Sequence, residues 1–513
     1  MPRLGTLSNA ALRRIVLLSA ALLLVRIASA MIVDQPGYTD AYYYHDVARR
    51  LAAGQGLSAD FVWNPLEAPP GSMLPVPSHR FWMPLATALQ ALGIVLLPFL
   101  DSFRASQALT IGVAAFIPAA GYAAARAVGA GERTALITAA LVGLGGVFAP
   151  GWVSLDAFAP AAVLGTLFFI AYGRAARGDV RAGALAGALV GLLFLARAEA
   201  AIFGVVLLIL ATSPRTRRAG VAGSAVALCI GIGWLARDLS LGPSPDIIGR
   251  SVLLIRYDQF FATQAPGWSG FVEVLPDVLA AKAAALGTNA GTFIFAFFVL
   301  LLPGMFVAVR SRRRDPTVRA FAVVLALIYL FQSLVVTLHS VRGSYLHSLA
   351  AFLPYGIALG VAGTAELLAR RSWDRRAIGA IAAVGVAGVG IFSGYAVAQW
   401  DAAFNAPYRA RVAALERIPD GPFLAVDAAA WRWIAGRTVV VTPSEGIAAA
   451  ACYVQAAGIR SIVLEPVHFA AYDDLYRGRA AGEAGREAGM DIRVYRLPLP
   501  PDPARASPAL VRC

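Results

Sequence analysis

The chain has 513 residues, of which 58% are hydrophobic and only 14% charged, with a mean hydropathy of +0.67. No soluble domain of this length needs so much apolar side chain for its core, so the composition excludes a soluble enzyme and predicts an α-helical polytopic membrane protein. The formal charge of +14 rests almost wholly on arginine, Lys282 being the only lysine, and the arginines cluster between apolar runs; this positive-inside pattern argues against a nucleic-acid partner.

Residues 15–33 form the first apolar run, interrupted by Arg26. Ala28, Ser29 and Ala30 have the form of a signal-peptidase site, but Met31, Ile32 and Val33 continue the run past it, which favours an uncleaved first span. Either way the next loop lies outside. That loop opens with YTDAYYYHDVARRLAAGQGL (38–57), which reads as a short amphipathic helix. Tyr44, Val47, Ala48, Leu51 and Ala52 share a face, and Gly54 stands where a C-terminal cap belongs. Thr39 and Asp40 sit at its start, where an Asp ordinarily accepts a backbone N–H.

Six arginine clusters punctuate the rest: Arg3 with Arg13 and Arg14; Arg126 with Arg133; Arg174 with Arg177 and Arg181; Arg215 with Arg217 and Arg218; 310–314; and 370–376. With all six on the cytoplasmic side, an even number of crossings separates each neighbouring pair. Runs 135–149 and 158–172 pair, as do 182–195 with 201–211, 221–235 with 291–309, and 321–338 with 348–368; 378–398 crosses last. Between the first two clusters lie three runs, 15–33, 81–100 and 105–125, so one cannot cross. Run 81–100 contains Pro84, Gln90 and Pro98 and is bracketed by His79, Arg80 and Asp101, as an interfacial or re-entrant segment is. The count is about eleven transmembrane helices, with the N-terminus cytoplasmic and the C-terminus outside.

Residues 1–400 thus form a membrane module with two long external loops, 34–104 and 236–289, of a length that is usually functional. Residues 401–513 change character. Strand-like runs at 422–427, 438–443, 461–466 and 492–497 alternate with helical stretches, which predicts a small external α/β domain and a disordered Pro-rich tail. No internal repeat, dinucleotide fingerprint or P-loop is evident. Cys229, Cys452 and Cys513 are isolated and odd in number, arguing neither for a disulfide framework nor for a zinc knuckle.

Topology places one set of ionisable side chains on the outer face: Asp40, Asp46, Glu67, His79 and Arg80 in the first loop, Asp156 after the third span, Arg197 and Glu199 in LARAEA, Arg237 and Asp238 in WLARD, and His339, Arg342, Tyr345 and His347 in HSVRGSYLH. Singly, each has an ordinary role. Arg237 and Arg80 would snorkel, Asp156 would cap a helix, Arg197 and Glu199 would satisfy each other, and His347 would pack in the core. Their convergence on one face makes them functional candidates.

The layout resembles the GT-C superfamily of integral-membrane glycosyltransferases, the polyprenyl-phosphate-sugar-dependent class that includes protein mannosyltransferases and lipid A aminoarabinose transferases. DAYYYHDVARRLAAGQGL (40–57) resembles the family's first-loop segment, and HRFWMP (79–84) its juxtamembrane opening. LARAEA is similar to its Arg-x-Glu turn, and the Trp-x-x-Arg of WLARD to its seventh-span end. Many relatives carry two adjacent acids at the loop start, where this chain has Thr39 before Asp40.

The resemblance implies inverting transfer of a sugar from a polyprenyl phosphate to a lipid, glycan or protein acceptor. Asp40 would be general base and Asp156 the second acid. Arg342, Arg237 and Arg80 would face the leaving phosphate, since guanidinium suits a phosphodiester. Tyr43, Tyr345 and His347 join the substrate-binding candidates. A divalent ion, Mg²⁺ or Mn²⁺ on the acids or Zn²⁺ if His79 joins, is an open cofactor. The Arg, Ala and Gly bias suggests a GC-rich bacterial genome, hence the inner membrane with a periplasmic C-terminal domain among membrane lipids. A flippase for lipid-linked sugars and a non-catalytic scaffold are the competing readings. The nearly apolar mid-span segments weigh against the first, and the long polar and aromatic loop against the second.

Overall fold

The computed structural model describes residues 8–65, 67, 73–242, 251–263, 271–371, 373–450, 458–478, 486–487 and 491–497. The Pro-rich tail, Cys452, Cys513 and parts of both long loops lie outside the described residues. Among the described residues, seven helices are long and apolar enough to cross a membrane, beginning with Ser102–Ala127 and ending with Arg376–Arg417, and four further apolar helices are shorter. The chain is a multi-pass helical membrane protein.

The first helix, α1 (Asn9–Ala30), leads into α2 (Thr39–Ala52), which carries the Tyr-rich segment. A two-stranded ribbon of β1 (Ser58–Ala59) and β2 (Val76–Pro77) follows, and then α3 (Leu85–Leu96), only 12 residues long, in the segment expected not to cross. Next come α4 (Ser102–Ala114) and α5 (Ile117–Ala127), α6 (Glu132–Leu144), α7 (Phe158–Ala175), α8 (Val180–Ala196), α9 (Gly204–Thr212) and α10 (Arg217–Ser240). Lipid tails give helices no hydrophobic reason to associate, so close packing at small residues holds the bundle. At the α8–α10 crossing a Cβ on Gly187 would stand 2.0 Å from the Gly223 carbonyl oxygen.

The run 291–309 does not fold as one span. The helix Phe271–Ala296 starts well before it and Leu302–Ser311 ends after it, with a break between them where Phe298 takes a φ of 55°. The early start lies in FVEVLPDVLAAKAAALGTNA, whose Glu, Asp, Lys and Asn keep it out of any apolar-run reading. The second outer loop is correspondingly shorter than 236–289.

Beyond the last long helix, a five-stranded mixed sheet is ordered β4-β3-β5-β7-β6, from β3 (Phe423–Ala425), β4 (Val439–Val441), β5 (Ser461–Leu464), β6 (Arg486–Glu487) and β7 (Arg493–Arg496). Strand β3 pairs in parallel with both β4 and β5, and β7 runs antiparallel to β5 and β6. The outer edge of β4 is covered by the first loop. Val62 forms a parallel bridge there, donating to the Val439 carbonyl at 3.0 Å and accepting from the Val441 N–H at 2.7 Å. One apolar core, including Tyr42, Phe61, Trp63, Phe260, Trp431 and Val440, runs through both loops and the sheet.

That packing corrects the amphipathic reading of α2. Every residue from Ala41 to Ala48 is buried, His45 and Asp46 included, because α3 lies on one side and the helix Ala428–Ala435 of the sheet domain on the other. The helix ends as expected, with Gly54 in the left-handed region just after it.

Gly187→Ala should destabilise the bundle by about 1–3 kcal/mol, because the added methyl must push two backbones apart. Thermal unfolding in detergent checks this, with Gly233→Ala, where a Cβ meets nothing within 4 Å, as the neutral comparison.

Candidate functional site

Helix α2 begins at a cluster of ionisable side chains, and its N-terminal turn delivers Asp40 there. Asp40, Asp156 and His347 each present one ligand-type atom, and these atoms lie within 4.8 Å of one another. Asp156 stands in the turn before α7, where one carboxylate oxygen accepts from the Ala157 N–H at 2.5 Å and the other from the Tyr38 hydroxyl at 2.7 Å. His347 packs against Phe158 at 4.1 Å between ring centroids. Its Nδ1 lies 3.4 Å from Asp156 Oδ2 without hydrogen-bond geometry, so this buried nitrogen has no hydrogen-bond partner.

Burial, and then the neighbouring Asp156 carboxylate, push the Asp40 carboxyl up to about 7, while Arg197 pulls the other way. Arg197 is itself well held. It donates to Glu199 at 2.6 Å and to the Ser344 hydroxyl at 2.8 Å, and Glu199 accepts from Ser348 at 2.6 Å and Gln332 at 3.2 Å. The LARAEA pair therefore satisfies itself, as its bland reading had it, and also ties the turn to the segment that carries Arg342 and His347.

That segment owes its shape to Gly343. Residues Ser340–Ser344 form a π-type turn in which Gly343 takes a φ of 121°, a conformation that L side chains rarely adopt. Such bulges recur at functional sites. Here the turn leaves Arg342 exposed, with its guanidinium 3.8 Å from the centroid of the Tyr257 ring. Tyr257 belongs to the second loop. Its hydroxyl pKa is raised to about 12 by burial and by the Asp40 carboxylate, against Arg342. Both Asp40 and Arg342 thus act on one phenol.

The other sequence candidates lie elsewhere. Arg80 is paired with Asp238 at 3.2 Å and donates to the Gly242 carbonyl, while Arg237 donates to the carbonyls of Ser78 and His79. Both brace the first loop against the end of α10. Tyr43 donates to Glu67 at 2.8 Å and accepts from the His79 N–H at 2.6 Å; Tyr345 packs against Tyr329 in the bundle core. His79, a φ of 61° on a non-glycine residue, directs Nδ1 to the Trp82 carbonyl and is not part of the Asp40–Asp156–His347 group. Burial pushes its imidazole down to about 3. The imidazole beside the acids is that of His347, contributed from the bundle.

Sequence reasoning missed Tyr38, Tyr257, Gln332, Ser344 and Ser348. Ser344 and Ser348, four residues apart around His347, carried a helical-face signal. Tyr257 carried none, since only folding of the second loop brings it over Asp40.

The sequence matches no protein-family profile and no curated protein. Solved structures do match. The chain is similar to ArnT from Cupriavidus metallidurans, in the apo state (TM-score 0.58, 16% identity, 95% of this chain and 98% of that one) and bound to undecaprenyl phosphate (TM-score 0.53, 16% identity, 94% and 97%). It is also similar to the oligosaccharyltransferase AglB from Archaeoglobus fulgidus, in complex with an inhibitory peptide and a dolichol-phosphate (TM-score 0.54, 14% identity, 87% and 69%).

The cluster geometry generates a binding prediction. Isothermal titration of the purified protein with Mn²⁺ or Zn²⁺ should show a site that His347→Ala weakens at least tenfold, as loss of a ligand does, and that His79→Ala leaves intact. In its architecture, the chain shares the fold of the solved ArnT and AglB structures.

Proposed function

We propose that the protein is an inverting glycosyltransferase that moves a sugar from a polyprenyl phosphate to a hydroxyl or amine acceptor at the outer face of the bacterial inner membrane. The observation that carries the reading is the grouping of Asp40, Asp156 and His347 within 4.8 Å of one another, with the half-buried Asp40 carboxyl pushed up to about 7 and an exposed arginine against Tyr257, a phenol that the Asp40 charge also reaches. A general base works best when its pKa lies near the working pH. Asp40 takes the acceptor proton as the acceptor attacks the anomeric carbon, and Asp156, held by Tyr38, orients the acceptor. Negative charge grows on the leaving phosphate. Arg342 has no acidic partner within salt-bridge distance among the described residues, so its charge is available to that phosphate.

ArnT is described bound to undecaprenyl phosphate and AglB with a dolichol-phosphate, which supports a lipid-linked donor for this chain as well. The acceptor class stays as broad as lipid, glycan or protein. On this reading the N-terminus is cytoplasmic, and the sheet domain from about residue 401 is periplasmic.

The donor set fits a divalent ion. Two carboxylates and an imidazole with a free buried Nδ1 suit Mn²⁺ or Zn²⁺ better than the all-oxygen surroundings that Mg²⁺ prefers. Asp40, Asp156 and His347 would hold it, and it would supply Lewis-acid stabilisation of phosphate charge. A carboxylate has two oxygens, so a ligating Asp40 keeps one for the acceptor proton.

The test is transfer from a panel of radiolabelled polyprenyl-phosphate sugars to lipid and glycan acceptors. Asp40→Asn should lower turnover at least about 100-fold, as loss of a general base does. Wild-type kcat/KM should fall as pH drops below about 7, because the base must be ionised. Folding shifts this carboxyl upward, so its stabilising contribution is fully present below the usual carboxylate range and is lost as pH rises through about 7. Asp40→Asn should therefore melt no lower than wild type under alkaline conditions. Full transfer by Asp40→Asn would overturn its role as base.

A further inference from the structure

The sheet domain reaches the turn that carries Asp40. We propose that Asp427 and Thr39 are positioning residues for Asp40, through a buried polar chain Glu465–Arg411–Asp427–Thr39 that connects the C-terminal domain to the first turn of α2; this rests on the glycosyltransferase reading.

Each link is direct. Arg411 forks onto Glu465, with Nε at 2.6 Å and a terminal nitrogen at 2.9 Å, and its other terminal nitrogen donates to Asp427 at 3.1 Å. The second oxygen of Asp427 accepts from the Thr39 hydroxyl at 3.1 Å and from the Ala430 N–H at 3.5 Å, at the start of the helix Ala428–Ala435. All three charged side chains are at least five-sixths buried, at 12–16% exposure, so the chain is shielded from water and salt.

The start of α2 is packed on its apolar side, where Tyr38 meets His347, Trp400 and Phe404. Its N-cap residue, Tyr38, makes no side-chain capping bond, and its hydroxyl is engaged with Asp156 instead. The Thr39 hydroxyl adds a directional polar restraint at the helix entry, and its partner comes from the far end of the sequence. Arg411 also lies against the ring of Trp431 in the sheet-domain core, so its position is set by that core. Asp40 is the next residue along. A general base must be placed within a few tenths of an ångström, and an error of about 1 Å can cost 100-fold in rate.

The same interface contains an internal control. Arg432 forks onto Asp60 at 2.9 and 2.7 Å, clamping the sheet domain to the first loop at a point away from Thr39. Docking can thus be weakened with the polar chain intact.

The experiment uses the full-length protein in nanodiscs, with release of polyprenyl phosphate from the donor as the turnover assay and hydrogen–deuterium exchange of the peptide covering residues 38–44 as a readout independent of chemistry. Thr39→Val keeps the shape and removes the donor; Asp427→Asn removes the charge. Both should lower kcat about tenfold or more with KM little changed, and both should speed exchange at 38–44. Thr39→Ser should restore both readouts. Arg432→Gln should speed exchange around residue 60 and leave 38–44 and kcat near wild type.

Unchanged exchange at 38–44 in Thr39→Val would overturn the positioning role whatever the enzyme does. So would normal kcat in a variant whose 38–44 segment has loosened, or an equal loss from Arg432→Gln, which would make docking alone responsible. A wild type that turns over no donor, with exchange behaving as stated, would instead remove the glycosyltransferase reading and, with it, the catalytic meaning of the chain.

Discussion

The candidate site depends on keeping two carboxylates, the half-buried Asp40 and the buried Asp156, close together. Like charges in a poorly solvated site oppose ionisation, so the arrangement persists only because other groups share its cost. Tyr38 and the Ala157 N–H take up the lone pairs of Asp156. Arg197 supplies a fixed positive charge and is held by Glu199 and Ser344 rather than by the acids themselves. The result is an Asp40 carboxyl pushed upward by burial and by Asp156, beside groups that are themselves tied by hydrogen bonds.

Most of the surrounding architecture serves that arrangement. The π-type turn at Ser340–Ser344 brings Arg342 and His347 from one bundle helix to the same place. The second loop sets the Tyr257 ring against the Arg342 guanidinium, and the helix Ala428–Ala435 of the sheet domain packs on α2. The cluster is thus assembled from the bundle, both loops and the sheet, parts of the chain far apart in sequence.

How much of this could be read from the sequence follows from the range of each signal. The bundle was legible because apolar runs and arginine clusters are local. The shortness of helix α3 was legible from Pro84 and Pro98, which bracket it, for the same reason. The strands announced themselves as β-branched runs. Asp40, Asp156, Arg342 and His347 could be nominated by topology, but topology says only that they share a face, and so it nominated Arg80, Arg237, Tyr43 and Tyr345 as readily. Distinguishing them takes the partners, and those partners are remote: Asp238 for Arg80, Glu67 for Tyr43. The full burial of α2 was illegible because its second face is covered by a helix close to the other end of the chain. The early start of Phe271–Ala296 was illegible because Glu273, Pro276, Asp277 and Lys282 interrupt its first half.

The pairing of Val62 with strand β4 bears on how such a molecule is made. A ribosome feeding this chain into a membrane delivers the first outer loop early and the sheet last. Through most of synthesis the loop's segment around Val62 has no strand to lie against, and α2 has only half of its walls. Contacts so distant in sequence form late and slowly. A chain cut short before the sheet would leave the Val62 segment unpaired and one wall of α2 open, so the surroundings of Asp40 are completed only when the last domain folds.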